Sequence, residues 1–119
     1  MSDLTLTTDA SQNPRVVVRA EGELDLHTAT DLYALLGGLL DDHPAAFLDL
    51  SHVTFCDSSG YNALLRLHRR ALAAGSRFVL VSPHPTVSRL LALTASEGIF
   101  AVYDSQDEAF AANPVTDGG

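Results

Sequence analysis

The chain has 119 residues, a length for one domain, and 46% hydrophobic against 18% charged residues excludes a disordered chain. A formal net charge of −8 repels phosphate and so argues against nucleic acid and anionic membrane as partners. No apolar run approaches membrane-spanning length, and Met1-Ser2-Asp3-Leu4 lacks the basic and apolar parts of a signal peptide, so the simplest expectation is a cytoplasmic protein.

Residues 4–8 alternate apolar and polar, as a half-exposed strand does, and residues 15–21 repeat the alternation at Val16, Val18 and Ala20. The turn-rich residues 9–14 between them predict an antiparallel hairpin. Gly22-Glu23-Leu24-Asp25-Leu26-His27 breaks the strand pattern before a helix, for which Thr28 is the expected cap and Asp31 a weak capping-box partner. Ala29, Leu32, Tyr33, Leu36 and Leu40 fall on one helical face. Gly37-Gly38 within that pattern points to close packing or an early helix end, and His43-Pro44 stops the helix.

Residues 45–50 read as a short buried strand, and Val53-Thr54-Phe55 carries the core on towards Cys56-Asp57-Ser58-Ser59-Gly60. Acid, two hydroxyls and a glycine in succession signal a helix start, where side-chain oxygens accept bonds from the free N–H groups of the first turn. That helix is expected to reach Ala74, with Gly75 as its stop. Its inner face is predicted at Tyr61, Leu64, Leu65, His68 and Leu72, with Asn62, Arg66, Arg69 and Arg70 outside, the arginines suiting the negative end of the helix dipole. Residues 77–81 form a further strand, Pro85 opens a third helix with Val87, Leu90, Leu91 and Thr94 inward, and Gly98 ends that region. Residues 99–103 are the last strand, and Ser105 with Glu108 caps a short final helix carrying Ala109 and Phe110. Residues 1–112 are thus one domain and residues 113–119 a flexible tail.

The order β-β-α-β-α-β-α-β-α implies an α/β fold, its hairpin followed by parallel strands joined through right-handed crossovers. Sites on such sheets gather at the carboxyl ends of strands, which here brings together the loops carrying Asp25, Asp57-Ser58 and Ser82-Pro83.

Enzyme chemistry finds little support at those loops. Ser58 lacks a nucleophile-elbow pattern and no histidine is tied to it by spacing, so a serine hydrolase ranks last. Asp25 and Asp57 could act as an acid–base pair or hold a divalent cation, but two acids in adjacent loops are more often caps and solvated groups. The five histidines are scattered without an i, i+4 pair, and His68 reads as a satisfied, partly buried side chain. Cys56 is the only cysteine, which rules out an internal disulfide and a cysteine zinc site and favours a buried, inert thiol. With no phosphate-binding glycine loop either, no cofactor is implied.

Two motifs in sequence order carry a resemblance. Gly22-Glu23-Leu24-Asp25 before Thr28-Ala29, and Asp49-Leu50-Ser51 followed by Phe55-Cys56-Asp57-Ser58-Ser59-Gly60, resemble the anti-sigma factor antagonists of the STAS domain family, as does Ser82-Pro83 before the third helix. The resemblance covers residues 4–112 and implies a superhelix of β-α units with helices packed on a mixed sheet. It also implies a protein switch rather than an enzyme. Such a protein binds an anti-sigma factor that is also an ATP-dependent serine kinase, and so frees the sigma factor. The kinase phosphorylates the first serine of the pair, which is Ser58 here, and a serine phosphatase resets the switch. The acidic residue beside that serine corresponds to Asp25, and the partner-facing set to Asp25, Asp57, Ser59, Gly60, Tyr61 and Asn62. Tyr61-Asn62 departs from the small or aliphatic pair expected after Gly60, and residues 84–98 are slightly longer than the family pattern. A ligand-sensing STAS module that no kinase modifies is the alternative, with Asp25 and the helix start lining its pocket.

Overall fold

In the computed structural model, which describes residues 3–93 and 99–114, five strands form one sheet in the order β1-β2-β3-β4-β5. Strands β1 (Leu4–Asp9) and β2 (Arg15–Leu24) make the expected antiparallel hairpin, paired from Leu4–Gly22 to Asp9–Val17. Strands β3 (Ala45–Cys56), β4 (Arg77–Val81) and β5 (Ala101–Tyr103) then add in parallel, each reached through a helix: α1 (Ala29–Asp42), α2 (Ser58–Ala74) and α3 (Pro85–Leu93). Helix α4 (Gln106–Ala112) closes the described chain. The fold is the mixed-sheet α/β domain read from the sequence, with the same order of elements.

The alternation of each strand divides the core in two. Val16, Val18, Ala20, Ala46, Leu48, Leu50 and Leu80 point to the face covered by α1, α2 and α3. Val17, Ala45, Phe47, Val79 and Val81 point to the other face, where α4 lays Ala109 and Phe110 on them, the Phe47 and Phe110 rings meeting edge-on at 4.8 Å. The rest of that second face is polar, with Arg19 and Asp49 at 3.7 Å.

Several local expectations are corrected. Strand β2 runs through Gly22 to Leu24, and β3 is one strand of 12 residues instead of two pieces. Two register shifts, between Arg19 and Glu21 and between Gly22 and Glu23, keep the pair together so that Leu24 still faces Cys56. The same irregularity turns both Val53 and Cys56 inward and leaves Phe55, expected in the core, 44% exposed. The last strand is shorter than expected, since Ile99 and Phe100 precede it.

The buried face of α2 is Gly60, Ala63, Leu64, Leu67 and Ala71, the predicted spacing shifted by one residue, a rotation of about 100°. Leu72 is left 68% exposed. Small side chains let this helix sit close to the sheet, and they register weakly in an apolar pattern. Tyr61 and His68 lie at the margin instead, each meeting the Phe100 ring edge-on. The arginines do not serve the helix end, because the last turn of α2 holds no basic residue. Arg66 and Arg70 turn towards α1, where their guanidinium carbons stand 4.2 and 5.5 Å from the centre of the Tyr33 ring. Gly37 makes room, since a Cβ there would strike the Arg70 guanidinium, and α1 runs on past both glycines to Asp42.

Helix α3 buries Val87 and Leu91, with Leu90 half-buried, while Thr94 and Gly98 lie outside the described residues. Ser105 caps α4 as expected, its Oγ accepting from the Glu108 N–H at 3.1 Å. Asn113, read as the first tail residue, is buried and its Nδ2 donates to the Ala109 carbonyl at 2.9 Å; residues 115–119 lie outside the described set.

Candidate functional site

Parallel pairing of β2 with β3 brings Leu24 opposite Cys56, so the next residues, Asp25 and Asp57, leave the sheet side by side. The Asp57 N–H donates to the Leu24 carbonyl at 3.2 Å, tying the two loops together. Asp57 is extended, with φ −102° and ψ −170°, and its Oδ1 accepts from the Gly60 N–H at 3.0 Å. This is an N-cap in the usual sense, a side-chain oxygen satisfying a first-turn donor. Gly60 is buried beneath it, and a Cβ there would lie 2.6 Å from the Leu24 carbonyl oxygen and 2.9 Å from Cys56 Sγ. Only glycine lets the first turn of α2 rest on the end of β2.

The serines do not share the capping, contrary to the sequence reading. Ser58 is exposed, and among the described residues its hydroxyl has no protein hydrogen-bond partner. The backbone N–H groups of Ser58 and Ser59 likewise have no acceptor among the described residues. An accessible hydroxyl thus stands beside open donors at the positive end of a 17-residue helix. No histidine engages Ser58 among the described residues.

The neighbouring loop is closed upon itself. Asp25 is 8% exposed; its Oδ1 accepts from the His27 N–H at 2.9 Å and its carbonyl accepts from the Thr28 and Ala29 N–H groups. Thr28 begins α1, but its side chain makes no cap and no capping box with Asp31. Its Oγ1 turns back to accept from the Asp25 N–H at 3.0 Å and donate to the Glu23 carbonyl at 2.8 Å. Hydroxyls of threonine compete for nearby backbone groups in this way.

Between the starts of α1 and α2 lies a cleft of about 220 Å³, lined by apolar Leu26, Ala29 and Ala63, by polar Thr30, Ser59 and Asn62, and by Arg66. The expected site residues are therefore sorted by the structure. Ser59 and Asn62 open on the cleft, Asp57 and Gly60 shape the turn, Asp25 shapes the adjoining loop, and Tyr61 packs on Phe100 at 6.1 Å. Sequence reasoning missed Leu26, which is 69% exposed, and Arg66. An apolar residue between Asp25 and His27 in an otherwise polar loop was the available signal for the first.

Cys56 is buried under Asp57, and burial first, then the adjacent carboxylate, pushes its thiol up to about 12, which keeps it protonated and inert. Among the described residues no three His, Cys, Asp or Glu side chains are grouped to hold a metal ion. Nor is any described helix long and apolar enough to cross a membrane.

With this geometry in view, comparison with known proteins identifies a family. The model of the STAS domain matches residues 7–109, and the chain belongs to that family. A Thermotoga maritima protein, named provisionally as an anti-sigma factor antagonist, is 36% identical over 63 residues, 53% of this chain and 56% of the relative. The aligned part thus spans little more than half of that relative's length. Among solved structures, an anti-sigma factor antagonist from Mycobacterium paratuberculosis superposes with a TM-score of 0.81 at 29% identity, covering 92% of this chain and 93% of that one. The antagonist SpoIIAA in its unphosphorylated form gives 0.75 at 20% identity over 95% of this chain and 100% of its own. The phosphorylated form of SpoIIAA, described as a Bacillus cell fate determinant, gives 0.69 at 22% identity over 91% and 98%. At those identities SpoIIAA speaks for the fold.

Proposed function

We propose that this chain is an anti-sigma factor antagonist, a binding module that engages an anti-sigma factor with serine kinase activity and so releases a sigma factor. Ser58 is the phosphorylated residue of the switch, and a serine phosphatase restores the binding form. The observation that carries this reading is the exposed Ser58 hydroxyl, free of protein partners among the described residues, at the start of a long helix capped by its neighbour Asp57. The names of the relatives support the same reading. The docking surface is the pole formed by Asp25, Asp57, Ser59, Gly60, Tyr61 and Asn62.

The physics of the switch follows from that position. A phosphate on Ser58 adds about −1.5 to −2 charges where open N–H groups and the helix dipole stabilise an anion, so the fold survives modification. A partner surface fitted to a neutral hydroxyl must then desolvate that anion beside Asp57. A penalty of about 1–3 kcal/mol weakens binding roughly 5- to 150-fold, enough to reverse a competition.

The test uses the purified anti-sigma factor serine kinases of the same organism with ATP. Wild type is expected to gain one phosphate by intact mass, mapped to Ser58, and to lose affinity. Ser58→Ala stays bound in ATP and Ser58→Glu binds weakly without it. Equal binding by both variants, together with an unmodified wild type, would sink the reading.

A further inference from the structure

We propose that the cleft beside Ser58 reads an acidic side chain of the docking partner, with Arg66 as the residue that sets partner specificity. The inference rests on the docking pole proposed above and adds the chemistry of one contact within it. Ser59, Asn62, Ala63 and Arg66 follow the three- and four-residue spacing of one face of α2, which is the face turned to the cleft. Among the described residues, Arg66 is the single charged one lining it.

Two guanidinium groups rest on the Tyr33 ring, and they differ in what balances their charge. Arg70 is paired with Asp41, whose two carboxylate oxygens accept from Nε at 3.3 Å and from Nη2 at 2.6 Å. That pairing also lowers the Asp41 carboxyl below its usual range. Arg66 stands 4.2 Å over the same ring and has no carboxylate within pairing distance among the described residues. In a chain with 15 acidic and 7 basic residues, a guanidinium held in place by an aromatic face and left without an acid is an open valence. The planar fork matches a carboxylate, while Leu26, Ala29 and Ala63 offer apolar surface next to it. The occupant is therefore a partner segment carrying an Asp or Glu beside an apolar side chain.

Recognition and switching are separable along the helix. Arg66 lies eight residues beyond Ser58, about 12 Å along the axis, so one phosphate on Ser58 does not occupy the same place as the partner's carboxylate. Ser58 decides whether the complex persists, and Arg66 decides which partner forms it.

The experiment takes each purified anti-sigma factor serine kinase of the same organism, selects the one that binds wild type, and titrates it with Arg66→Lys, Arg66→Met and Arg66→Glu. Circular dichroism melts verify that all three remain folded. Arg66→Glu is expected to lose about tenfold or more in affinity, Arg66→Met roughly two- to fivefold, and Arg66→Lys less than Arg66→Met. Reversing one acidic residue of the partner to Arg recovers the Arg66→Glu variant. Wild-type affinity in Arg66→Glu overturns the inference. So does an equal loss in Lys and Met variants, which would reduce Arg66 to packing on Tyr33. Concentration-dependent self-association of wild type that Arg66→Glu abolishes assigns the cleft to a second copy and overturns it as well. If no kinase binds wild type, the docking reading itself falls, an outcome distinct from these.

Discussion

Two helices begin side by side at this pole, and they treat their hydroxyl groups in opposite ways. At the start of α1 the Thr28 hydroxyl is buried and bridges the Asp25 N–H to the Glu23 carbonyl, while the Asp25 carboxylate holds His27. At the start of α2 the Asp57 carboxylate alone makes the cap, and the Ser58 hydroxyl stands in solvent. The elements of sequence are similar, an acid followed within three residues by a hydroxyl. The consequence differs because one hydroxyl is consumed in holding the loop and the other is left to solvent. The proposed site of modification is a capping motif with one hydroxyl to spare.

The comparison can be broken most forcefully at Gly60. Gly60→Ala drives a Cβ against the Leu24 backbone oxygen at 2.6 Å, and that strand end cannot move cheaply. A loss of about 3 kcal/mol is expected, seen as a lower urea midpoint with an unchanged slope. A midpoint within error of wild type would show that α2 does not rest on β2 as described.

Next is Thr28→Val, which keeps the shape of the side chain and deletes both of its hydrogen bonds. About 2 kcal/mol of stability should go with them, and hydrogen exchange should accelerate at the Asp25 amide ahead of the amides of β2. Uniform acceleration would mean that the hydroxyl supports the whole fold rather than this loop.

The smallest effects sharpen the contrast within α2 itself. Asp57→Ala should cost about 1 kcal/mol through the lost cap, whereas Ser58→Ala should fall within about 0.5 kcal/mol of wild type in the same unfolding assay. Were Ser58→Ala the costlier change, its hydroxyl would be structural and the division of labour between the two residues would be wrong.

Much of this was legible in the sequence, and the limits have physical causes. Period-two and helical patterns separated by turn residues sufficed for the nine elements and their order, and parallel pairing then brought the Asp25 and Asp57 loops to one end. Asp57-Ser58-Ser59-Gly60 was readable as a helix start, though not the fact that Asp57 alone caps it. The inward face of α2 escaped because Gly60, Ala63 and Ala71 bury by being small, which an apolar pattern does not weigh. Phe55 escaped because its direction depends on register shifts against β2. The pairing of Arg66 and Arg70 on Tyr33 needs α1 and α2 in contact at Gly37, a tertiary fact with no local signature.

The outer strands of the sheet bear on how such a molecule behaves in company. One rim is β5, only three residues long, and the other is β1, whose outward positions are Thr5, Thr7 and Asp9. A rim that is short, or punctuated by a charge, gives a neighbouring copy little backbone to zip onto. Switches that work by competition respond to how many free molecules there are. Under the proposed function, blunt rims would leave that number to the amount of protein made, so that a phosphate on Ser58 rather than the extent of stacking would set the outcome.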